Sequence, residues 1–258
     1  MDISFISGTD RQNQILKLIE SKSRISVADI CEQFTVSEAT ARRDLEMLAN
    51  QGKVQRVHGG AIALTQAPPE QPLLQRGEEQ AQEKVRIGQA AANLVQDGET
   101  IFLGSGTTVL EAARALRLRH NLTVITNSLP VINVLAGVEG MTMICLGGML
   151  RESELSFIGH ITEQALAEVR ADKVLIGTRA ISLEHGLTHH YLPETLTDRA
   201  ILKAGKEIIV LADHTKFGRA GVVLLAPLER IHTIVTDVET PVEFSQAVEN
   251  KGINVIRV

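Results

Sequence analysis

A pair of short amphipathic segments, separated by only two residues, constrains the fold of this chain more than any other feature. The first segment, residues 26–34, begins at Ser26, which is followed three positions later by an acidic residue in the spacing of a capping box. The second, residues 37–48, begins at Ser37, whose hydroxyl can accept a free backbone N–H of the first turn. Because two residues leave room only for a tight turn, the sequence predicts a helix-turn-helix.

The second segment has an apolar side and an arginine-bearing side. At about 100° per residue, Ala41, Leu45 and Leu48 share one stripe, and small and basic residues point outward. Such a helix suits the major groove of DNA, where Arg reaches both phosphates and guanine edges, whereas an ordinary solvated face is the alternative. The candidate DNA-binding residues are Ser37, Glu38, Ala39, Thr40, Arg42 and Arg43.

Segments on both sides extend this pair to a winged helix. Residues 11–20 have the apolar spacing of a preceding helix, and residues 53–57 and 61–64 have the composition of two strands joined by a short turn. A β-hairpin after three helices favours DNA binding over a solvated face. The hairpin should bring three further candidate contacts to the same surface, namely Lys53, Arg56 and His58.

The charge distribution limits how such a domain can bind. Residues 1–62 contain eight Lys and Arg and eight Asp and Glu, so the net charge of −5 lies in the rest of the chain. Without a general basic field, one copy should hold nucleic acid weakly. We therefore expect a homo-oligomer whose copies act together on repeated half-sites of double-stranded DNA.

Length and composition predict two domains with aliphatic cores. The chain has 258 residues, 44% of them hydrophobic but only 3% aromatic. Its longest apolar runs have the length of strands, so we expect no membrane span, and the N-terminus lacks a secretion signal. Cys31 and Cys145 lie in separate apolar stretches and are expected to be buried, reduced thiols of a cytoplasmic protein.

A proline-rich stretch separates the two domains. Three of the seven prolines, Pro68, Pro69 and Pro72, lie among Gln and Glu residues without apolar periodicity, which is typical of a semi-rigid connection. We therefore predict a winged helix-turn-helix domain at residues 1–65, a linker at 66–82 and a second domain at 83–258.

The second domain alternates strands and helices. The predicted strands are residues 100–103, 122–126, 142–146, 173–177, 207–212, 232–236 and 253–256. The predicted helices are residues 83–95, 107–118, 129–136, 161–169, 194–204 and 242–250. Apolar strands separated by amphipathic helices indicate a mainly parallel sheet covered on both faces. Ligands of such sheets bind beyond the carboxyl ends of the strands.

The turn after the first of these strands has the features of an anion site. A glycine-rich turn that opens a helix brings backbone N–H groups and the positive helix end to one point. No lysine follows the turn, and Val109 replaces the third glycine of a dinucleotide fingerprint, so a small phosphorylated ligand fits better than a nucleotide. A tight turn without a ligand is the alternative. The candidate effector-binding residues here are Gly104, Ser105, Gly106, Thr107 and Thr108.

Other strand ends add polar groups that should meet at the same edge of the sheet. An Asp and a Lys three residues apart can bind hydroxyl groups and an anion respectively, and glycines let the backbone approach a ligand closely. The candidates are Thr126, Asn127, Ser128, Gly147, Gly148, Arg179, Asp213 and Lys216.

The histidines do not predict a metal site. His189 and His190 are adjacent, so in a strand they point to opposite faces, and no carboxylate completes a known ligand spacing. We instead expect His189 or His190, with Glu194 and Arg199, to line the ligand cleft. Glu194 and Asp198 are four residues apart, which favours a solvated or inter-subunit helix face over a catalytic pair.

Several spaced motifs, covering about residues 10 to 240, resemble those of the DeoR family of bacterial transcriptional regulators. The matching segments are residues 38–45, 104–108, 126–129, 147–151 and 211–218. The resemblance implies a winged-helix DNA-binding domain joined to a sensor domain related to ribose-5-phosphate isomerases. Such proteins are usually oligomeric repressors of sugar-catabolism operons that a sugar phosphate releases, and no cofactor is implied.

One departure from the isomerases argues against catalysis. Their paired aspartates correspond here to residues 177–181, which contain Arg179 and no carboxylate. A proton shuttle on a sugar needs a positioned base, and Arg cannot supply one at neutral pH. We therefore expect a sequence-specific DNA-binding regulator rather than an enzyme. The alternatives are a sugar-phosphate isomerase with an accessory DNA-binding module, and a DNA binder whose larger domain only oligomerises.

Overall fold

The computed structural model describes residues 8–22, 24–50, 53–57, 59–63 and 71–258. The chain divides into two compact units, Met1–Pro68 and Pro69–Val258. Among the candidate DNA-binding and effector-binding residues, His58 lies outside the described ranges.

The first unit is a winged helix, as predicted. Its elements are α1 (Gly8–Lys22), β1 (Arg24–Ser26), α2 (Val27–Phe34), α3 (Glu38–Asn50), β2 (Val54–Val57) and β3 (Gly60–Ala63). The strands form an antiparallel sheet in the order β1-β3-β2, so the hairpin gains a third strand that the sequence did not predict.

Local capping sets the ends of the helices in this unit. The predicted capping box is present, because Ser26 and Asp29 exchange hydrogen bonds at the start of α2. Helix α2 ends at Thr35 in the left-handed conformation, with a φ of 51°, which turns the chain sharply toward α3. Burial of aliphatic side chains contributes roughly 1.5–3 kcal/mol each. The largest fully buried ones are Ile15, Ile19, Ile30, Leu45 and Leu48.

The second unit is built on a seven-stranded parallel sheet. Its strands are β4 (Thr100–Leu103), β5 (Leu122–Thr126), β6 (Met141–Cys145), β9 (Ala171–Gly177), β12 (Gly205–Leu211), β14 (Thr233–Thr236) and β15 (Asn254–Arg257). They lie in the order β15-β14-β12-β9-β4-β5-β6. Each predicted strand is present with its ends shifted by no more than two residues, so the predicted parallel sheet is confirmed.

Helices cover both faces of this sheet. They are α4 (Ala81–Asn93), α5 (Thr107–Leu116), α6 (Leu129–Leu135), α7 (His160–Ala167), α8 (Leu192–Ala204) and α9 (Val242–Glu249). On the interior strand β4, Ile101 and Leu103 pack in the apolar cluster with α4, α5 and α6, and Phe102 packs in the opposite cluster with α7, α8 and α9. The alternation of side chains along a strand thus divides the core into two layers.

Short antiparallel strands were not predicted from the sequence. They are β7 (Met149–Arg151), β8 (Ser156–Ile158), β10 (Ala180–Ser182), β11 (Gly186–His189) and β13 (Val223–Ala226). Strands β7 and β8 form a hairpin, and the other three form a small sheet in the order β10-β11-β13. Four of these five segments lack the continuous apolar run of the equally short parallel strands, so the sequence pattern does not reveal them.

The structure differs from the sequence-based expectations at Cys145 and at residues 71–80. Cys145 is exposed at the end of the edge strand β6, so its prediction as a buried thiol was wrong. Residues 71–80, which fall inside the segment predicted as a linker, pack on the second unit instead: Leu73 is buried there and its N–H donates to the carbonyl of Ser153 at 2.7 Å. Within the described residues, no helix is both long enough and apolar enough to cross a membrane.

Candidate functional site

The surface of α3 presents the arginines as the sequence predicts. Ser37 caps the helix, because its Oγ accepts the N–H of Thr40 at 3.3 Å. Arg42 and Arg43 are exposed, and so are Ser37, Glu38 and Ala39, whereas Thr40 is half-buried.

An internal ion pair fixes the orientation of this helix. Asp44 follows the arginines but turns inward, where its carboxylate accepts Nε of Arg11 at 2.6 Å and the amide of Gln12 at 2.9 Å. The buried Asp44 therefore ties α3 to α1 and leaves the two arginines on the opposite side.

The arginines of α3 are available to a partner. Arg42 pairs with Glu38 at 3.1 Å, but both side chains are exposed, so the pair contributes little and opens readily. Within the described part of the chain, Arg43 has no ion-pair or hydrogen-bond partner. Arg56 of the wing donates to the carbonyl of Arg42 at 3.3 Å, which places the wing beside α3, and Lys53 is exposed.

In the second unit, the turn between β4 and α5 lies at the carboxyl edge, the edge of the sheet where the parallel strands end. Gly104 remains tied to β9, since its N–H donates to the carbonyl of Leu175 at 3.0 Å. Gly106 is the N-cap of α5 with a φ of 112°, and no side chain caps the first turn. The helix start therefore presents backbone N–H groups that suit an anion. Ser105 is half-buried beside them, and Thr107 and Thr108 are buried.

Asp213 and Lys216 follow β12 at the same edge. Asp213 is buried and caps a short 3₁₀ helix by accepting the N–H of Thr215 at 3.0 Å. Burial lowers the pKa of Lys216, Asp213 raises it in part, and the positive charges of Arg76 and Arg179 lower it further. No carboxylate of the described residues lies within ion-pair distance of the Lys216 ammonium group. A half-buried ammonium group with no carboxylate within ion-pair distance favours an anionic ligand.

Arg179, at the end of β9, belongs to a buried charge network that also contains Arg76, Arg151, Glu154 and Glu194. Arg179 lies 3.0 Å from the carboxylate of Glu154 and 3.3 Å from that of Glu194. Arg76 binds both oxygens of Glu154, at 2.6 and 2.7 Å, and Arg151 pairs with Glu194. Each carboxylate of the network thus touches two guanidinium groups.

The two carboxylates differ in how burial and the guanidinium groups balance. Burial raises the pKa of Glu154 to about 7, although Arg76 opposes the shift. Burial also disfavours the charge of Glu194, but Arg179, His189 and Arg151 outweigh it and hold the pKa of Glu194 below its ordinary value. Glu194 therefore stays ionised, whereas Glu154 is the carboxylate of the network most easily protonated.

His189 and Asp198 extend this polar region. Nδ1 of His189 lies 3.2 Å from the Asp198 carboxylate, and both side chains are buried. Burial raises the pKa of Asp198, and the contact with His189 offsets part of the shift. The prediction that Glu194 and Asp198 lie on a solvated or inter-subunit helix face was wrong, because α8 turns both of them into the interior of the same chain.

Ligand atoms of His189, Glu194 and Asp198 lie within 4.8 Å of one another, a grouping that could hold a metal ion. The guanidinium groups of Arg151 and Arg179 already supply two positive charges beside Glu194 and oppose the binding of a metal cation there. The carboxylates can instead accept hydrogen bonds from hydroxyl groups of a ligand, and the imidazole can donate or accept one. His190 is half-buried next to them, and Arg199 donates to the carbonyl of Leu224 on β13 instead of lining a cleft.

Two of the predicted ligand contacts, Thr126 and Asn127, make hydrogen bonds within the fold at the carboxyl edge of the sheet. The hydroxyl of Thr126 donates to the carbonyl of Leu103 at 2.7 Å and accepts the N–H of Ser128, so this fully buried group is already satisfied. The amide of the buried Asn127 donates to the carbonyl of Phe157 at 2.9 Å, which holds β8 in place.

The two glycines after β6 are also used by the fold. Gly148 lies so close to the hydroxyl of Thr162 that no Cβ would fit, and the Thr162 hydroxyl donates to the carbonyl of Gly147 at 2.8 Å. The pair anchors α7 to the sheet edge, so close packing alone accounts for the glycine at position 148.

Sequence reasoning missed four charged residues of this region. Single charged residues in turns, on helix faces or in short strands carry no motif, and Arg76 is separated from its partner by 78 positions, so only the folded chain brings them together. They are Arg76, Lys84, Arg151 and Glu154.

Comparisons with known proteins agree with this description. Residues 11–67 match the DeoR-like helix-turn-helix domain, and residues 79–238 match the DeoR C terminal sensor domain. The transcriptional repressor AccR of Agrobacterium fabrum is 35% identical over 234 residues, which cover 90% of this chain and 91% of that protein. The glycerol-3-phosphate regulon repressor of Escherichia coli is 34% identical over 245 residues, covering 95% and 97%. Ribose 5 phosphate isomerase A from Neisseria gonorrhoeae is 16% identical, covers 52% of each chain and has a TM-score of 0.39.

A winged helix with available arginines, joined to a parallel-sheet domain with a polar edge, defines a DNA-binding transcriptional repressor with a sensor domain, not an enzyme. The chain belongs to the DeoR family. The family resemblance and the DNA-binding function expected from the sequence are thereby confirmed.

Proposed function

We propose that the sensor domain binds a phosphorylated sugar and that its occupancy controls the affinity of the repressor for the operator of a sugar-catabolism operon. One observation carries this proposal. The unpaired ammonium group of Lys216 and the uncapped N–H groups at residues 104–108 belong to the same edge of the sheet. Together they supply the charge and the donors that a phosphate group requires.

The neighbouring groups suit the hydroxylated part of such a ligand. Arg179 is close enough to Lys216 to lower its pKa and also contacts Glu194, so it links the cationic end of the site to Glu194, Asp198 and His189. Ionised carboxylates accept hydrogen bonds from hydroxyl groups, which a sugar supplies in number. The name of one relative refers to glycerol 3-phosphate, a small phosphorylated polyol, which supports the same ligand class.

Self-association follows from the weakness expected of one winged helix. Exposed apolar side chains gather on β7 and at the start of α8, where the guanidinium of Arg151 stacks on the Tyr191 ring at 4.5 Å. Such a surface is available to a second copy, which would pair two winged helices on two half-sites. The exposed residues are Met149, Leu150, Tyr191, Leu192 and Leu196.

A panel of phosphorylated sugars tests the proposed effector. A true effector should raise the melting temperature by binding the folded state and should change operator affinity several-fold, in keeping with a typical coupling of about 1–3 kcal/mol. Lys216→Ala should abolish both effects. Lys206→Ala is the matched control, because Lys206 is exposed and pairs with Asp172 near the start of β12, the strand that leads to Lys216.

The outcomes separate the remaining alternatives. A ligand that stabilises the protein without changing operator affinity contradicts the regulatory role. If no sugar of the panel changes the melting temperature or the operator affinity, the proposed effector class is contradicted. That result favours a DNA-binding protein whose larger domain serves only for oligomerisation.

A further inference from the structure

The segment that leads from the DNA-binding unit into the sensor is folded around one arginine. Residues 71–80, here called the strap, begin just after the boundary between the two units. Leu73 is buried and bonded to Ser153, and Nε of Arg76 donates to the carbonyl of Gln71 at 2.8 Å. The strap is therefore held at its start and through the Arg76 side chain.

Arg76 joins the strap to the buried charge network. Its guanidinium binds both oxygens of Glu154, and the two side chains are 9% and 3% exposed. Glu154 also lies 3.0 Å from Arg179, which belongs to the proposed effector site. One carboxylate is thus shared between a cation of the strap and a cation of the site.

Lys84 makes a second connection between the strap and the site. Its ammonium group donates to the carbonyl of Arg76 at 2.7 Å. Burial lowers the pKa of Lys84, while the negative charge of Asp213 raises it and the positive charge of Lys216 lowers it. Lys84 therefore lies where it experiences the charges of the site while it holds the backbone of the strap.

We propose that Glu154 links ligand binding in the sensor to the order of the strap, an inference that rests on the proposed function. This role of Glu154, which pairs with Arg179 of the site and Arg76 of the strap, is here called the clasp. A phosphate group bound at residues 104–108 and Lys216 attracts the guanidinium of Arg179. Glu154 then loses one of its two cations and pairs with Arg76 alone, so the strap is held more tightly. Because the strap is the covalent route to the winged helix, a change in its order alters how paired winged helices meet two half-sites.

Hydrogen exchange of the full chain, followed by mass spectrometry, tests the clasp. The probes are glucose 6-phosphate, fructose 6-phosphate, glycerol 3-phosphate and inorganic phosphate. A probe that stabilises the protein should slow exchange of the amides of residues 71–80. In Glu154→Gln without a probe, exchange there should be faster by about tenfold, since the amide cannot hold two guanidinium groups. Glu152→Gln, at an exposed position in the same turn, is the matched control and should behave as the unmodified chain.

Operator binding provides the second readout. Glu154→Gln should still be stabilised by the probe, but the probe should no longer change its operator affinity. If Glu154→Gln does not fold, Arg76→Lys serves instead, because it keeps the charge and loses the hydrogen bond that Nε of Arg76 donates to the carbonyl of Gln71 within the strap. For Arg76→Lys we expect the same faster exchange of the strap.

The results distinguish this proposal from the proposed function. If a probe changes operator affinity in the unmodified chain while exchange of residues 71–80 stays the same or rises, the clasp is rejected and the effector site stands. If no probe changes the melting temperature, the effector site is rejected, and the clasp with it. Retention of the operator response in both Glu154→Gln and Arg76→Lys also rejects the clasp.

Discussion

The two units of this repressor handle charge in opposite ways. In the winged helix, Arg42 and Arg43 stand in solvent, and the one pair that Arg42 makes with Glu38 is exposed. In the sensor, Glu154 and Glu194 are buried, and each contacts two guanidinium groups. Water screens an exposed pair, whereas a buried charge is costly unless it is paired. The first unit thus keeps Arg42 and Arg43 available to DNA while its Arg11 pairs with the buried Asp44, and the second pairs the buried charges of its network with one another.

The largest effect that tests this comparison should come from Glu194→Ala. The substitution leaves Arg151 and Arg179 buried with less negative charge, so the free energy of unfolding of the sensor should fall by about 3–5 kcal/mol. Urea denaturation followed by circular dichroism measures the loss. Glu184→Ala is the control, since Glu184 is exposed, and it should change stability by less than about 0.5 kcal/mol. A loss below that control value for Glu194→Ala would show that the network is not needed for stability.

In the winged helix, removal of a charge should affect DNA and not folding. Arg43→Ala should weaken specific operator binding by about 1–3 kcal/mol if the side chain binds guanine with two hydrogen bonds, and its unfolding should be unchanged. Fluorescence anisotropy with labelled operator measures the affinity. Arg114→Ala removes an exposed arginine from α5 of the sensor and should leave binding unaltered. Equal affinities of all three proteins would reject α3 as the reading helix.

A substitution of Arg179 should affect ligand binding more than operator binding. Arg179→Ala removes a cation from the proposed effector site, so the affinity for a phosphorylated sugar should fall by about tenfold, as expected for loss of one charge-assisted contact. Operator affinity of the ligand-free protein should change less. Titration calorimetry and anisotropy give the two numbers, and equal losses in both would contradict the assignment of Arg179 to the ligand.

The smallest effect concerns pH. Burial opposes the charge of His214, but Asp237, at 3.0 Å from Nδ1, outweighs it and raises the pKa of His214 above its ordinary value of 6.5. A raised pKa of a histidine means that its stabilisation is complete at low pH and is lost as pH rises through the value in the folded protein. The stability difference between the unmodified chain and His214→Gln should therefore shrink between about pH 5 and about pH 8. A stability difference that stays constant over this pH range would contradict the role of the contact with Asp237.

The sequence predicts well what depends on neighbouring positions. Ser26 and Asp29 are three residues apart, and the stripe of Ala41, Leu45 and Leu48 repeats with the helix, so capping and burial follow from local spacing. The parallel strands are predictable for the same reason, since each is a continuous apolar run.

The buried network is not predictable in this way. Arg76 and Glu154 contact each other only because the strap packs against the turn after β7. The sequence pattern indicates an exposed helix position for Glu194, and the residue is buried only because α8 packs against neighbouring elements. Burial of a charge depends on packing between distant segments, which the sequence pattern does not encode. The same limit explains why the sequence does not reveal that the hydroxyl of Thr126, a predicted ligand contact, already donates one hydrogen bond and accepts another inside the fold.

The buried position of β4 has a consequence for how this protein can change over evolutionary time. Ile101, Phe102 and Leu103 are buried on both faces of the sheet, and α5 begins four residues after Leu103. The backbone N–H groups of residues 104–108 are therefore held in place by the packed core beneath them. If residues 104–108 hold the phosphate group as proposed, discrimination between one ligand and another resides in the side chains around them. A change of ligand then needs only point substitutions there, and the scaffold stays the same.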